Sequence, residues 1–257
     1  MNKLTVLIVG YRQGTLTATA VASFVKSCPE DLDLDFVVVE NSEDETYIPL
    51  LAHPKHNVRF HLNRPANNIL RKGNAKERVN AGSYANASGI ELVKSDIEKE
   101  YTFVCHSDVC VTSPLFFEAL REKVQQGNQL VGCEVWPVRN KPLHICGLLV
   151  QTKILKDVEV WPDMPILDVG DRLTEHAQKN NIPHCCLPFT VKRGVTYTTC
   201  PKTEEVIFMH LGRGSLKAAQ YQAEKQRSFT SGWQYFYKKK DKATYEDWFE
   251  LCKDILK

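Results

Sequence analysis

The chain opens on LTVLIV, residues 4–9, an unbroken apolar and β-branched run stopped by Gly10. A run without alternation predicts a strand buried on both faces of a parallel sheet. In the next segment, TLTATAVASFVKS, Leu16, Ala20, Ser23 and Phe24 fall near helical spacing, which predicts a helix over 15–27 closed by CPED. DFVVVENS, residues 35–42, then reads as a second buried strand ending in an acid and a polar turn. Strand, helix and strand in succession are the βαβ unit of an α/β fold.

The pattern continues with a short strand over 57–62 (NVRFHL), a helix over 81–94 (AGSYANASGIELVK) and a strand within YTFVCHSDVCV, residues 101–111. Pro114 opens a helix, PLFFEALREKVQQG, with proline at a tolerated first-turn position and Gly127 at its end. QLVGCEVWP and HICGLLVQTKIL read as strands of a sheet extension separated by a turn at 138–142. In 167–181, LDVGDRLTEHAQKNN, Asp168 stands three residues before Asp171 ahead of a helical pattern, a capping arrangement. EVIFMHLGRGS, 205–215, is a late strand leading into a glycine-rich turn, and the remainder reads as helical and aromatic, with Trp233, Tyr235, Phe236, Tyr237, Tyr245, Trp248 and Phe249. The expected fold is α/β: a mostly parallel central sheet flanked by helices, with a small antiparallel extension and a helical C-terminus. Its expected organisation is one domain over 1–215 and an extension over 216–257.

Composition narrows the function only a little. A chain of 257 residues suits one large α/β domain plus extensions. No run approaches the length of a transmembrane helix, and MNKLTVLIVGYRQ lacks the small-residue cleavage site of a signal peptide, so membrane contact is expected to be peripheral at most. Nine cysteines, an odd number without a C-x-x-C pair and mostly beside apolar neighbours, suit buried reduced thiols and a cytoplasmic protein. Cys185 and Cys186 beside His184 are a weak metal candidate, because adjacent cysteines seldom face one tetrahedral ion. With 33 Lys and Arg against 31 Asp and Glu, the formal charge of +2 is too small to imply nucleic acid. The local exception is Lys238, Lys239, Lys240 and Lys242, either a solvated face or an acidic-acceptor or membrane-surface patch.

In an open parallel α/β sheet, ligands bind beyond the carboxyl ends of the strands. Three strand ends are polar where a core needs no polarity: Gly10-Tyr11-Arg12, Glu40-Asn41-Ser42 and His106-Ser107-Asp108. They are expected to converge on one crevice. The polar stretch from Asn63 to Lys76, carrying Arg64, Arg71, Lys72 and Lys76, has the composition of a loop over a ligand.

On LIVGYR, VVVENS, GSYANASGIELV, FVCHSDVCV with its proline-led helix, and FMHLGRGS, the sequence resembles the family 2 glycosyltransferases across roughly residues 4–215. The resemblance implies a GT-A fold, with 1–112 binding a nucleotide-sugar and 113–215 the acceptor. It also implies a divalent metal, held in the family by an Asp-x-Asp pair against the donor diphosphate. Here that element reads His106-Ser107-Asp108, so the first acid is a histidine and Asp108 stands alone. One carboxylate with phosphate oxygens and water still suits Mn²⁺ or Mg²⁺. The resemblance adds His210 as a second ligand, and imidazole favours Mn²⁺ over Mg²⁺. Gly212, Arg213 and Gly214 follow it as a phosphate-compatible turn.

For the donor, a UDP-sugar by resemblance, the nucleotide-binding candidates are Gly10, Tyr11, Arg12, Glu40, Asn41, Arg71, Lys72, His106, Ser107 and Arg213. Tyr11 is placed to stack on the base, or is simply a buried ring; Glu40 accepts from the base or ribose. Inverting transfer needs a general base near the acceptor hydroxyl, and the family's acid at a helix start corresponds to Asp168 or Asp171, either of which also serves as a plain cap. Trp136, Trp161 and the C-terminal aromatics are candidates for stacking on sugar faces or for packing. The acceptor that the resemblance implies is a glycan, a lipid-linked saccharide or another hydroxyl compound. Three other readings remain open at this stage: a nucleotidyltransferase, for which GYRQGT is poor in glycine; a degenerate nucleotide-sugar-binding module; and a transferase acting on a modified nucleic-acid base.

Overall fold

The computed structural model describes residues 1–42, 48, 55–64, 81–135, 142–163, 166–212 and 245–256. Arg71, Lys72, Trp136, Arg213, Trp233, Tyr235, Phe236, Tyr237 and the lysine run lie outside the described residues.

The first apolar run is β1 (Lys3–Gly10), and all of it from Leu4 onward is buried. It pairs in parallel with β2 (Asp33–Glu40) on one side and with β4 (Tyr101–His106) on the other, while β3 (Val58–Leu62) adds in parallel beyond β2. Past β4 the direction reverses. There β7 (Gly147–Gln151) runs antiparallel to β4, β6 (Leu130–Gly132) antiparallel to β7, and β8 (His184–Cys186) parallel to β6. A second sheet of four antiparallel strands has the order β5 (Val109–Val111), β11 (Val206–His210), β10 (Val195–Thr199), β9 (Phe189–Lys192).

Period-two alternation sends the side chains of β1 to two different cores. Leu4, Val6 and Ile8 join Ala20 and Phe24 of α1 (Gly14–Ser27) and Phe116, Phe117 and Leu120 of α3 (Leu115–Gln125). Leu7 and Val9 face Ala87 and Ile90 of α2 (Ala81–Val93), Ile154 and Leu155 of α4 (Thr152–Asp157), and Leu173 and Ala177 of α5 (Asp171–Lys179). Leu16, Ala20, Ser23 and Phe24, the positions that predict α1, are all buried. The last element, α6 (Tyr245–Leu256), puts Trp248 and Cys252 against Leu16, Cys110, Met209 and Leu211. Trp248 is fully buried, so this ring packs the molecule and offers no face to a sugar.

Several expectations need correction. YTFVCHSDVCV holds two strands, because the chain leaves the large sheet after His106 and enters the small one at Val109. The segments around 130 and 147 are members of the central sheet itself. TKIL, read as strand, is the start of α4: Ile154, Leu155 and Val158 are all buried, at the i, i+1, i+4 spacing of a helix face. The cap of α5 is Gly170, in the left-handed region at φ 88°, where glycine is free of Cβ strain. Asp168 instead donates its backbone N–H to Asp171 Oδ2 at 2.7 Å, the reciprocal half of a capping box. Strands β8, β9 and β10 were not foreseen. All nine cysteines are free thiols, six buried and three partly so.

Candidate metal and nucleotide site

The three polar strand ends do meet, at the carboxyl edge of the parallel strands. Gly10 and Glu40 are in register, and Asn41 N–H donates to Gly10 O at 2.9 Å. The fully buried Glu40 carboxylate accepts backbone N–H from Arg12 (2.9 Å) and Ser42 (2.8 Å) through Oε1. It therefore ties the turns after β1 and β2 together. Asn41 is also buried and accepts from Asn63 Nδ2 at 2.7 Å, which in turn reaches Ser88 of α2 at 3.1 Å. A Cβ at Gly10 would lie 3.3 Å from Thr17 Oγ1, a tight contact, so the small residue lets α1 approach the end of β1, with Ser107 Cβ in ordinary contact distance at 3.7 Å. Tyr11 is half-buried, and the Arg12 guanidinium lies 5.4 Å from its ring centre. Arg12 is exposed with φ 53°.

Asp108 and His210, 102 positions apart in sequence, are brought together by the small sheet. Val109 pairs with His210, and Leu211 N–H donates to Asp108 O at 2.9 Å. The His210 Nε2 to Asp108 Oδ1 distance is 3.6 Å, and His106 Nδ1 lies 4.0 Å from the same oxygen. These three residues form one group with metal-ligand spacing. Asp108 is 4% and His210 6% exposed, and Ser107 is buried beside them.

A second group adjoins the first. Residues 133–135 and 143–147 continue the β6–β7 pairing, with His144 N–H donating to Glu134 O at 3.0 Å and Cys133 N–H to Gly147 O at 2.8 Å. That pairing sets Glu134 opposite His144, and Glu134 Oε1 lies 3.1 Å from His144 Nδ1, 3.4 Å from His210 Nδ1 and 3.1 Å from Cys146 Sγ. The rings of His106, His144 and His210 sit 5.7–6.0 Å apart centre to centre. Sequence reasoning missed Glu134, His144 and Cys146. The visible signal was His-x-Cys at 144–146, two metal-ligand residue types close together in the turn just ahead of β7.

The electrostatics favour a cation between the two acids. Burial alone would lower the pKa of His210, but Asp108 and Glu134 on either side of the ring push it up to about 10. Burial works to raise the Glu134 carboxyl, yet the facing His144 and His210 hold it well below the usual range. His106 goes the other way: burial, with His210 and His144 nearby and Asp108 opposing, lowers it to about 4 and keeps it neutral.

A divalent ion fits this donor set. One carboxylate and two imidazoles are the N/O ligands that Mn²⁺ accepts, and the buried Nε2 of His210 has no hydrogen-bond partner. Asn86 Nδ2 lies 2.7 Å from His106 Nε2 while Asn86 Oδ1 is buried without a partner. Turning that amide over would make Oδ1 the acceptor of an Nε2–H, leaving the Nδ1 lone pair for a metal on the Asp108 side.

The other candidate acids are placed by α5. Asp171 is buried and bonded to the backbone of Asp168; Asp168 is half-buried and accepts from Val169 N–H at 2.7 Å. A Cβ at Gly170 would lie 3.0 Å from Ile145, the residue between His144 and Cys146, and Leu143 N–H donates to Thr174 Oγ1 at 3.0 Å. The acidic turn is therefore docked on the strand that carries the second group. Trp161 is half-buried and its carbonyl accepts from Arg172 Nε at 2.9 Å. His184, Cys185 and Cys186 belong to neither cluster.

No family model and no curated protein sequence matches the chain. Solved structures match it by backbone. The mannosyltransferase PcManGT from Pyrobaculum calidifontis, in complex with GDP-Man and Mn²⁺, superposes with a TM-score of 0.51 at 14% identity, over 89% of this chain and 65% of that one. The fold is GT-A. Two further GT-A neighbours are TarS 1–349 from S. aureus in complex with UDP (TM-score 0.49, 14% identity, 72% of this chain and 57% of that one) and the glucosyl-3-phosphoglycerate synthase from Mycobacterium tuberculosis. The latter, in complex with Mn²⁺, UDP and glucosyl-3-phosphoglycerate, has a TM-score of 0.48 at 14% identity, over 72% of this chain and 70% of that one. The chain spans less than two thirds of the length of the TarS and PcManGT structures. Within the GT-A frame, the Asp108 group lies where the parallel strands end, the edge at which such sheets bind ligands. Among the described residues no helix is long and apolar enough to cross a membrane.

Proposed function

We propose that the chain is a metal-dependent glycosyltransferase, moving a sugar from a nucleotide-sugar donor, a UDP-sugar, to a hydroxyl of a glycan or lipid-linked acceptor with inversion. The observation that carries this reading is the convergence of His106, Asp108 and His210 at the carboxyl edge of β1, β2 and β4, with the buried His210 Nε2 facing Asp108 Oδ1 at 3.6 Å without a formed hydrogen bond.

Asp108 and His210, with His106 beside them, would hold Mn²⁺ or, less well, Mg²⁺; bound there, the ion supplies Lewis-acid stabilisation of charge building on the leaving diphosphate. The chain's own residues do the rest. Tyr11 offers a half-exposed ring for base stacking. Glu40 and Asn41 hold the turns that frame the nucleotide, and Gly10 and Ser107 lie beside them at the ends of β1 and β4. Arg12, Arg71, Lys72 and Arg213 are the cations assigned to the phosphates. Asp168 is the general base that takes the acceptor proton, because its carboxylate is half-exposed whereas that of Asp171 is buried. By this reading 1–112 serve the donor, 113–215 the acceptor, and 216–257 are an extension.

The test is a donor screen by calorimetry with Mn²⁺ or EDTA, followed by product analysis with saccharide acceptors. Binding of a UDP-sugar that requires metal and is lost in Asp108→Ala, with wild-type circular dichroism, is the expected result. Affinity unchanged by EDTA and by Asp108→Ala would falsify the metal assignment. Asp168→Asn is expected to bind donor normally while turnover falls by roughly a hundredfold or more, the size of a general-base contribution.

A further inference from the structure

The proposed transfer leaves the group behind His210 without a task. Glu134, His144, Cys146 and His210 bring a carboxylate oxygen, two imidazole nitrogens and a thiol within 4.8 Å of one another. Donors at about 2.0–2.3 Å from a tetrahedral ion are about 3.3–3.8 Å apart, and the separations from Glu134 Oε1 are already 3.1–3.4 Å. All three contacts fall on Oε1. Its twin, Oε2, is buried with no hydrogen-bond partner, on a residue only 6% exposed. A carboxylate used only for hydrogen bonding has acceptor capacity on both oxygens; one oxygen meeting three ligand-type atoms, with the other stranded, is the layout of a coordination site.

The frame is rigid and nearly closed. Glu134 and His144 are locked by the backbone pairing, Cys146 precedes β7 and is fully buried, and His210 ends β11. The His144 side chain, 18% exposed, marks the way in. A compact set of O, N and S donors selects Zn²⁺ over Mn²⁺ or Mg²⁺. We infer that Glu134, His144, Cys146 and His210 form a zinc-type site, separate from the Asp108 site and sharing with it only the ring of His210. On binding, the Cys146 thiol releases its proton to solvent and coordinates as thiolate.

The shared ring links the two sites. His210 turns Nδ1 to Glu134 and Nε2 to Asp108, and a neutral imidazole has one lone pair. A metal on Nδ1 leaves the proton on Nε2, which then donates to Asp108 and no longer ligates there. Zinc at this site therefore antagonises metal at the Asp108 site. That consequence rests on the Asp108 reading; the zinc site does not.

Co²⁺ serves as the spectroscopic probe. Titrating the metal-stripped full chain is expected to give a near-ultraviolet thiolate-to-cobalt charge-transfer band that saturates at one equivalent and is displaced by Zn²⁺. Cys146→Ser abolishes the band, and His144→Ala weakens cobalt binding roughly tenfold or more. Asp108→Asn keeps the band even where it loses donor binding, so the two readings fail separately. No band, or a band that survives Cys146→Ser, overturns the site. Should Cys146→Ser not fold, unchanged cobalt affinity in the partly exposed His144→Ala variant overturns it equally.

Discussion

Glu40 shows how a residue can be read correctly for place and incompletely for task. An acid closing an apolar strand is anomalous for a core, and that anomaly was legible in VVVENS. Its two backbone donors were not, because Arg12 reaches it across 28 positions. The geometry gives a stability prediction separable from ligand binding. Glu40→Ala strands two N–H groups and is expected to destabilise by about 1–3 kcal/mol for each donor that water does not reach. Glu40→Gln keeps an acceptor oxygen and is expected to stay within about 1.5 kcal/mol of wild type. Urea denaturation of the two variants measures both; equal stabilities would show that the carboxylate does not hold the turns. Asp108 was legible by the same logic of an acid at a strand end, and His210 only through resemblance. Glu134 was hidden because nothing local marks it: its partners are His144, Cys146 and His210, and the pairing that delivers them depends on how β6 and β7 come together.

At the scale of elements, legibility followed length and amphipathic contrast. β1, β2 and α1 announce themselves because each must bury nearly all of one pattern. β8 and β9 have three and four residues with half-exposed or exposed side chains, so they carry no period to detect and exist through pairing alone. α4 was misread because LLVQTKIL is apolar under either period; the sheet resolves it, since β7 ends where β4 begins, at the Tyr101–Gln151 pair. The best-supported element is α1, whose Phe24 meets Phe36, Phe103, Phe116 and Phe117 edge-on at 5.6–6.4 Å. Phe24→Ala removes the hub of that cluster and is expected to cost about 3–5 kcal/mol, as for large-to-small changes of buried aromatics. Equilibrium unfolding would read this directly, and a loss below 1 kcal/mol would mean the cluster closes over the gap.

For the whole molecule, the Asp108 group and the Glu134 group join side chains from three segments: the β4 turn, the β6–β7 extension and β11. Two buried acids around one histidine are held compatible by the positive charge that both draw onto that ring. A divalent ion replaces this arrangement with direct ligand bonds from the same segments, so metal should stabilise the entire fold rather than one loop. A ligand bound only by the folded state at a hundred times its Kd adds about 2.7 kcal/mol, and about 2–4 °C of Tm accompanies each kcal/mol in domains of this size. Saturating Mn²⁺ with UDP is therefore expected to raise Tm by about 5–11 °C over the EDTA-treated chain. Asp108→Ala should abolish that rise, and Arg12→Ala, on an exposed residue, should lower it only in part. A Tm that ignores Mn²⁺ and UDP together in the wild-type chain would leave the strand-end crevice without its metal.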